Sequence, residues 1–286
     1  MEIPLVIDEI QLSESFTTEL IGVFHQVNNV LPENQKLACL DFSTPVSEAF
    51  EIMKRRKFSQ IPILAGNQTM GLFSYRSFAQ KIDDYNGECI DLEKLRVGDF
   101  IEEIHFLDVL DDWTKFLDEL EEKDVFLVGN RSNLVGLISS IDVIMYLYQI
   151  TTPFILIGEI ERAVRRIIEV CISKEKIPEL AKRTLNQLHK PDEIPLSLKE
   201  MTFNDYIQII GHGDSWHFFE STFGSNRLHR NRTRTKLEEV RELRNDVFHF
   251  RRELDPDDIQ KLRDYRHWIK NELTACLANW RSANNG

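Results

Sequence analysis

Two stretches in the first half of the chain repeat one another, and this duplication limits the possible folds more than any other feature. The first is STPVSEAFEIMKRRKFSQIPILAGNQTMGLFSYRSFAQKI, Ser43 to Ile82. The second is HFLDVLDDWTKFLDELEEKDVFLVGNRSNLVGLISSIDVIMYLY, His105 to Tyr148. In each, apolar residues first recur at helical spacing: Val46, Ala49, Phe50 and Met53, then Trp113, Phe116, Leu117 and Leu120. A short apolar strand follows, IPIL or VFLV, and then a Gly-Asn turn at Gly66-Asn67 or Gly129-Asn130. A second strand opens at Gly71 or Gly136, and another helical stretch closes the unit. One such unit cannot bury its apolar face alone, so the repeat predicts a pair.

This order, with strand ends GLFS and GLIS, resembles a tandem pair of CBS domains, the regulatory module named after cystathionine β-synthase. The resemblance spans residues 36–150 and implies an α/β sandwich whose clefts bind adenosine nucleotides or S-adenosylmethionine. It also implies a Ser/Thr-x-x-Asp at the strand-to-helix junction, the carboxylate accepting ribose hydroxyls and the helix start lying near phosphate. The second repeat has this as Ser139-Ser140-Ile141-Asp142. The first has Ser74-Tyr75-Arg76-Ser77, with Ser77 where the acid belongs. The resemblance therefore implies at most one good site for a regulatory adenine nucleotide (AMP, ADP, ATP or similar). That site would combine Ser139 and Asp142 with Thr44, and Phe58 and Ile61 would sandwich the adenine. From the residues alone, Ser139 and Asp142 also read as an ordinary helix N-cap, with the acid at the positive end of the dipole.

After Tyr148 the pattern changes. Thr151-Thr152-Pro153 is expected to break the preceding helix and start the next, since proline is tolerated in a first turn. In FILIGEIERAVRRIIEVCI, residues Ile157, Ile160, Val164, Ile167, Ile168 and Cys171 share one side. Thr202-Phe203-Asn204-Asp205 has the form of a capping box. Long helices are expected from about Thr235 to Arg252 and from Pro256 to about Trp280. The expected organisation is a partly helical lead-in over 1–35 (FTTELIGVFHQV), the paired repeats over 36–150, and an all-α domain over 154–286. The fold class is α+β, multidomain: an α/β sandwich of paired repeats followed by a helical bundle.

Charge separates the halves. Residues 1–150 hold 12 Lys+Arg against 26 Asp+Glu, and residues 151–286 hold 23 against 21, within a total of −12. Bulk charge argues against a nucleic-acid partner, but from Arg227 to Arg252 nine basic residues face four acidic ones. Such a local excess marks an anion-binding face. Along that helix Leu237, Val240, Leu243, Val247, Phe250 and Leu254 form the expected core stripe. Roughly opposite lie Arg241, Arg244, Asn245, Phe248, His249 and Arg252. Asn245 and His249 stand side by side at i and i+4.

The string Glu242-Leu243-Arg244-Asn245-Asp246-Val247-Phe248-His249 resembles the signature of HEPN domains, small helical domains that include many metal-independent RNases. Arg244, Asn245 and His249 match its R-x4-H form, and the resemblance covers residues 154–282. It implies cleavage of RNA by its own 2′-hydroxyl, leaving a 2′,3′-cyclic phosphate and a 5′-hydroxyl. His249 would move protons, Arg244 would stabilise the charge growing on phosphorus, and Asn245 would orient the phosphate or the histidine. RNA contacts would come from Arg241, Arg252, Arg230, Arg232 and Arg234. No cofactor is required for that chemistry, and a homodimer would set two motifs face to face.

Other signals are weaker. His212, Asp214 and His217 lie close together without a third ligand at recognisable spacing, and no metal is expected. The scattered cysteines (Cys39, Cys89, Cys171, Cys276) point to a reducing cytoplasm. No apolar run reaches the roughly 18 residues of a membrane span, and the acidic N-terminus is unlike a signal peptide, so no membrane is expected. With 42% hydrophobic residues, a core of ordinary size forms. Two functions are expected to compete. One is a nucleotide-regulated ribonuclease, such as a stress or anti-phage (defence) effector. The other is a non-catalytic nucleotide-sensing or RNA-binding regulator that uses its helical half for interaction and dimerisation.

Overall fold

The structure, a computed structural model, describes residues 26–32, 35, 37–83, 85 and 91–284. The helix expected in FTTELIGVFHQV lies mostly outside these residues. The chain divides into two compact units, residues 1–148 and 149–286.

In the first unit α1 (Val27–Val30) precedes two three-stranded sheets of the same design. The first repeat runs β1 (Leu40–Asp41), α2 (Val46–Arg56), β2 (Gln60–Ala65), β3 (Gln68–Ser74) and α3 (Tyr75–Ile82). The second runs β4 (Phe106–Leu107), a 3-10 turn at Trp113–Phe116, α4 (Leu117–Lys123), β5 (Val125–Asn130) and β6 (Asn133–Ser139). In both, the short strand pairs parallel to the middle one and the last pairs antiparallel. Gln60 faces Ser74 as Val125 faces Ser139, and each ladder slips at matching places, Ile63/Leu64 and Val128/Gly129.

Each repeat has its own core. Ala49, Ile52, Met53, Ile61, Ile63 and Phe73 fill the first. Leu107, Trp113, Phe126, Val128 and Ile138 fill the second, together with Val27 and Val30 from α1. Leu72, Ile104, Val125, Leu127 and Leu134 form a third cluster. The last strands begin earlier than Gly71 and Gly136. The first turn is only Gly66-Asn67, Gly66 taking φ 61, and the second is Arg131-Ser132. Asn130 Oδ1 holds that second turn by accepting from the Ser132 and Asn133 amides at 3.0 and 2.9 Å.

Pro153 does not break a helix. α5 runs without interruption from Ser140 to Cys171, and the division between the units falls inside it. A mid-helix proline costs about 3 kcal/mol. Burial of Ile157, Ile160, Val164, Ile167 and Ile168 outweighs that cost, at about 1.5–3 kcal/mol per side chain. Continuity also makes α5 long and apolar enough to cross a membrane by length and composition, which no uninterrupted apolar run in the sequence had suggested. A core helix passes the same test, and the second half of α5 is a core helix of its unit.

The second unit continues through α6 (Ile177–Thr184), α7 (Phe203–Gly211), α8 (Glu220–Phe223), α9 (Arg227–Phe248) and α10 (Pro256–Asn284). Its core joins the α5 stripe to Tyr206, Ile207 and Ile210 of α7, Leu237, Val240, Leu243 and Val247 of α9, and Leu262 and Ile269 of α10. Tyr206 is fully buried, and its hydroxyl accepts from Arg165 Nε at 2.8 Å while donating to Leu198 O at 2.5 Å.

α9 starts eight residues before the expected Thr235 and stops four before Arg252. Asn226 caps its start through the His229 amide, at 2.9 Å. At its end the Phe250 amide bonds Val247 O at 3.3 Å and the Arg251 amide bonds Asp246 O at 2.9 Å. These two bonds make a Schellman closure, with Phe250 in the left-handed region at φ 51. Phe250 therefore leaves the core stripe and is 85% exposed, while Leu254 packs against the core from the following loop.

Candidate functional site

Two places carry the residues singled out above. In the first unit, the first strand-to-helix junction is a capping box and the second is capped by a carboxylate alone. Ser74 Oγ accepts from the Ser77 amide and Ser77 Oγ from the Ser74 amide, both at 2.9 Å. At the second junction Asp142 Oδ2 accepts from Ser139 N at 2.8 Å and from Ser139 Oγ at 2.5 Å. Ser77 is buried at 1% exposure and offers no polar surface, and the carboxylate at the first junction is that of Glu102, which accepts from Ser74 Oγ at 3.0 Å. Asp142 is half-buried, and its Oδ1 is not used by the cap.

Thr44 is half-buried, its carbonyl accepting from the Val97 amide at 3.0 Å. Phe58 lies partly buried on the first core. Ile61 is wholly inside that core, with no face to offer an adenine ring. Among the described residues no hydrogen bond joins Thr44 or Phe58 to Ser139 or Asp142.

In the second unit, α7 packs on α9. Where the first turn of α7 meets the C-terminal half of α9 there is a cavity of about 330 Å³, lined by Thr202, Phe203, Asn204, Arg241, Arg244 and Asn245. Its α7 wall is fixed by a capping box. Asp205 Oδ2 accepts from the Thr202 amide at 2.8 Å and from Thr202 Oγ1 at 2.9 Å. Asp205 Oδ1 meets His189 Nε2 at 2.7 Å. Asp205 is 1% exposed, so this cap is a buried, three-donor arrangement.

On the α9 wall, Arg241 Nη1 donates to Asn204 Oδ1 at 2.9 Å, tying the two helices together. Its Nε and Nη2 both donate to Glu242 Oε1, at 3.2 and 2.7 Å. The Arg244 guanidinium lies 4.9 Å over the Phe248 ring, which packs edge-on against Phe154. Arg244 Nε is shielded from solvent and has no hydrogen-bond partner among the described residues. Arg244 and Asn245 are half-buried beside α7, not on a solvated face opposite the core.

His249 is not a wall of the cavity. It is the C-cap of α9, exposed, its amide donating to Asn245 O at 3.1 Å. The Schellman closure that follows fixes the backbone position from which the imidazole projects.

The other arginines divide. Arg252 is committed to Asp246 at 2.9 Å and Asp258 at 2.6 Å. Arg234 pairs with Glu238 at 2.8 Å and its stem covers Gly211, where an added Cβ would meet it at 3.2 Å. The half-buried Arg230 instead reaches Gly213 with its guanidinium, Nη1 standing 3.1 Å from where a Cβ would lie. Arg232 is exposed. Asn204, read from sequence only as part of a cap, is the cavity residue that the sequence did not reveal. No group of three or more His, Cys, Asp or Glu side chains able to hold a metal occurs among the described residues.

Residues 31–84, which include the first repeat, match the family model "CBS domain". Several solved structures are similar to part of the chain. A conserved protein from Geobacillus kaustophilus is 21% identical, covering 43% of this chain and 95% of its own, with a TM-score of 0.38. A CBS domain-containing protein from Bacillus anthracis is 20% identical over 43% and 91%, with a TM-score of 0.37. The CBS domain of a bacterial CNNM/CorC family Mg2+ transporter, solved in complex with ATP, is 16% identical over 46% and 91%, with a TM-score of 0.36. No curated protein matches the chain.

Proposed function

We propose that the chain is a cytoplasmic, metal-independent endoribonuclease whose activity is set by an adenine nucleotide at the CBS pair. The observation that carries the catalytic half is the placement of Arg244 and Asn245. Both line one cavity with Arg241, and His249 stands one helical turn beyond at the solvent-facing cap. Arginine offers a fixed fork to phosphate oxygens, and histidine exchanges protons near neutral pH.

In the reaction, the 2′-oxygen bonds to phosphorus as its proton passes to a base, and the P–O5′ bond breaks as an acid protonates the departing 5′-oxygen. Arg244 stabilises the charge gathering on the phosphoryl oxygens and Asn245 holds their orientation. One His249 serves one proton transfer. The reading therefore includes a homodimer in which a second copy supplies the other. This combination suits a stress or anti-phage effector.

For the regulatory half, Asp142 is held by Ser139 through one oxygen, leaving the other to accept a ribose hydroxyl. Arg252 is left out of the RNA contacts because Asp246 and Asp258 occupy it.

Labelled RNA incubated in EDTA with wild type, Arg244→Gln and His249→Ala tests the proposal. Wild type should yield 2′,3′-cyclic phosphate ends at a rate altered by adenine nucleotide, and both variants should lose at least about a hundredfold in rate. An intact RNA substrate with wild type, with and without nucleotide, refutes the enzyme. Unchanged nucleotide affinity in Asp142→Ala, measured by calorimetry, refutes the assigned nucleotide site.

A further inference from the structure

We infer that the cavity between the first turn of α7 and the C-terminal half of α9 is a phosphate subsite, which assigns Asn204 and Arg241 to binding alongside Arg244 and Asn245. Four observations converge on this.

The walls are donors. Two guanidiniums and two carboxamides line the cavity, with no acidic residue among the lining side chains; Arg241 also donates to the neighbouring Glu242 at 2.7 Å, an exposed carboxylate whose pairing an incoming phosphate can replace. Asn204 gives its oxygen to Arg241 at 2.9 Å, so its NH2 end is left to donate. Arg244 Nε is a shielded donor without a partner among the described residues, an arrangement that native interiors resolve with a bound acceptor. Finally, the Thr202–Asp205 box consumes the amides of Thr202 and Asp205, and the Phe203 and Asn204 amides are the remaining first-turn donors that a helix start leaves over. The buried Asp205–His189 contact holds that turn in place.

A cavity of about 330 Å³ exceeds a bare phosphate and has room for a sugar beside it. The ligand chemistry is therefore a phosphate group, and we assign it to the backbone of a polynucleotide. Only that last identity rests on the ribonuclease reading, because anion binding needs no cleavage.

The test is a titration of the full-length chain with inorganic phosphate, followed by calorimetry or 31P NMR. The variants are Asn204→Asp, an isosteric change that puts a negative charge in the wall, and Arg241→Gln. Arg183→Gln, a surface residue paired with Glu179, controls for net charge. Wild type should bind saturably, Asn204→Asp and Arg241→Gln should bind at least about tenfold more weakly, and Arg183→Gln should match wild type.

Absence of saturable binding, or equal affinity in the two cavity variants with unchanged melting curves, overturns the subsite. A second arm adds an all-deoxy oligonucleotide, which cannot be cleaved by a 2′-hydroxyl. Displacement of phosphate supports the polynucleotide backbone, and displacement by a nucleoside monophosphate alone overturns that identity. If wild type binds phosphate but cuts no RNA, the ribonuclease fails and the subsite stands. If RNA is cut while Asn204→Asp binds phosphate normally, the subsite fails and the ribonuclease stands.

Discussion

Removing the Asp205 carboxylate should cost the helical unit more than any substitution of the proposed catalytic side chains. The acid is 1% exposed and accepts three hydrogen bonds: Thr202 N at 2.8 Å, Thr202 Oγ1 at 2.9 Å and His189 Nε2 at 2.7 Å. Asp205→Ala deletes the acidic member of the capping box, worth about 1 kcal/mol. It also strands the half-buried His189 ring without its acceptor, at about 1 kcal/mol. The expected loss is about 2 kcal/mol, or roughly 7 °C in melting temperature for a unit of this size. Thr202→Ala removes only the hydroxyl, for about 1 kcal/mol, and Asp205→Asn should fall between the two. His249→Ala, at an exposed cap, should stay within about 0.5 kcal/mol of wild type. Urea denaturation followed by circular dichroism ranks the series. A melting temperature for Asp205→Ala within about 2 °C of wild type, or a larger loss in Thr202→Ala, would show that the carboxylate does not hold the start of α7.

Three further outcomes follow from the same geometry. The Arg266 guanidinium, 2.6 Å from Glu159, holds that carboxyl below its ordinary value of 4.5. A depressed folded pKa adds stability above the unfolded value and loses it as pH falls through the folded one, so the stability gap between wild type and Arg266→Gln should be full at neutral pH and close as pH drops below 4.5. A gap that persists in acid refutes the pairing. Burial pushes the Cys39 thiol up to about 11 and the Cys171 thiol to about 12, the latter with Cys276 Sγ at 3.7 Å. Both should resist alkylation at pH 8 until urea unfolds the chain, as read by mass spectrometry. Phe250→Gly should stabilise the chain by about 0.5–1 kcal/mol, because the left-handed backbone costs a side chain about 1–2 kcal/mol and glycine's extra unfolded freedom returns only part of it. Destabilisation on denaturant unfolding would mean that the exposed ring makes contacts of its own.

What the sequence concealed has a common physical origin. The two repeats and their capping residues are local facts: Ser74 meets Ser77 and Ser139 meets Asp142 three residues on, so spacing alone finds them. Pro153 and Phe250 are cases where local rules and packing disagree. The proline reads as a stop, but the apolar residues that follow it bury enough surface to carry the helix through. Phe250 continues the apolar period of Val247, yet the chain turns before it, and no glycine marks the turn. The same division runs through the candidate site. Arg244 and Asn245 were legible because they are neighbours on one amphipathic helix. Asn204 was not, since only the packing of α7 on α9 brings it to Arg241 across 37 positions. Arg252 was counted among the free cations because periodicity sees charge and not partners, and its partner Asp258 lies in the first turn of the next helix. The basic excess along α9 is therefore smaller as an available charge than as a count. What remains concentrated is Arg244 in the cavity wall, beside an Arg241 shared between Asn204 and the exposed Glu242, and there a single acid introduced at Asn204 has the most leverage over an incoming phosphate.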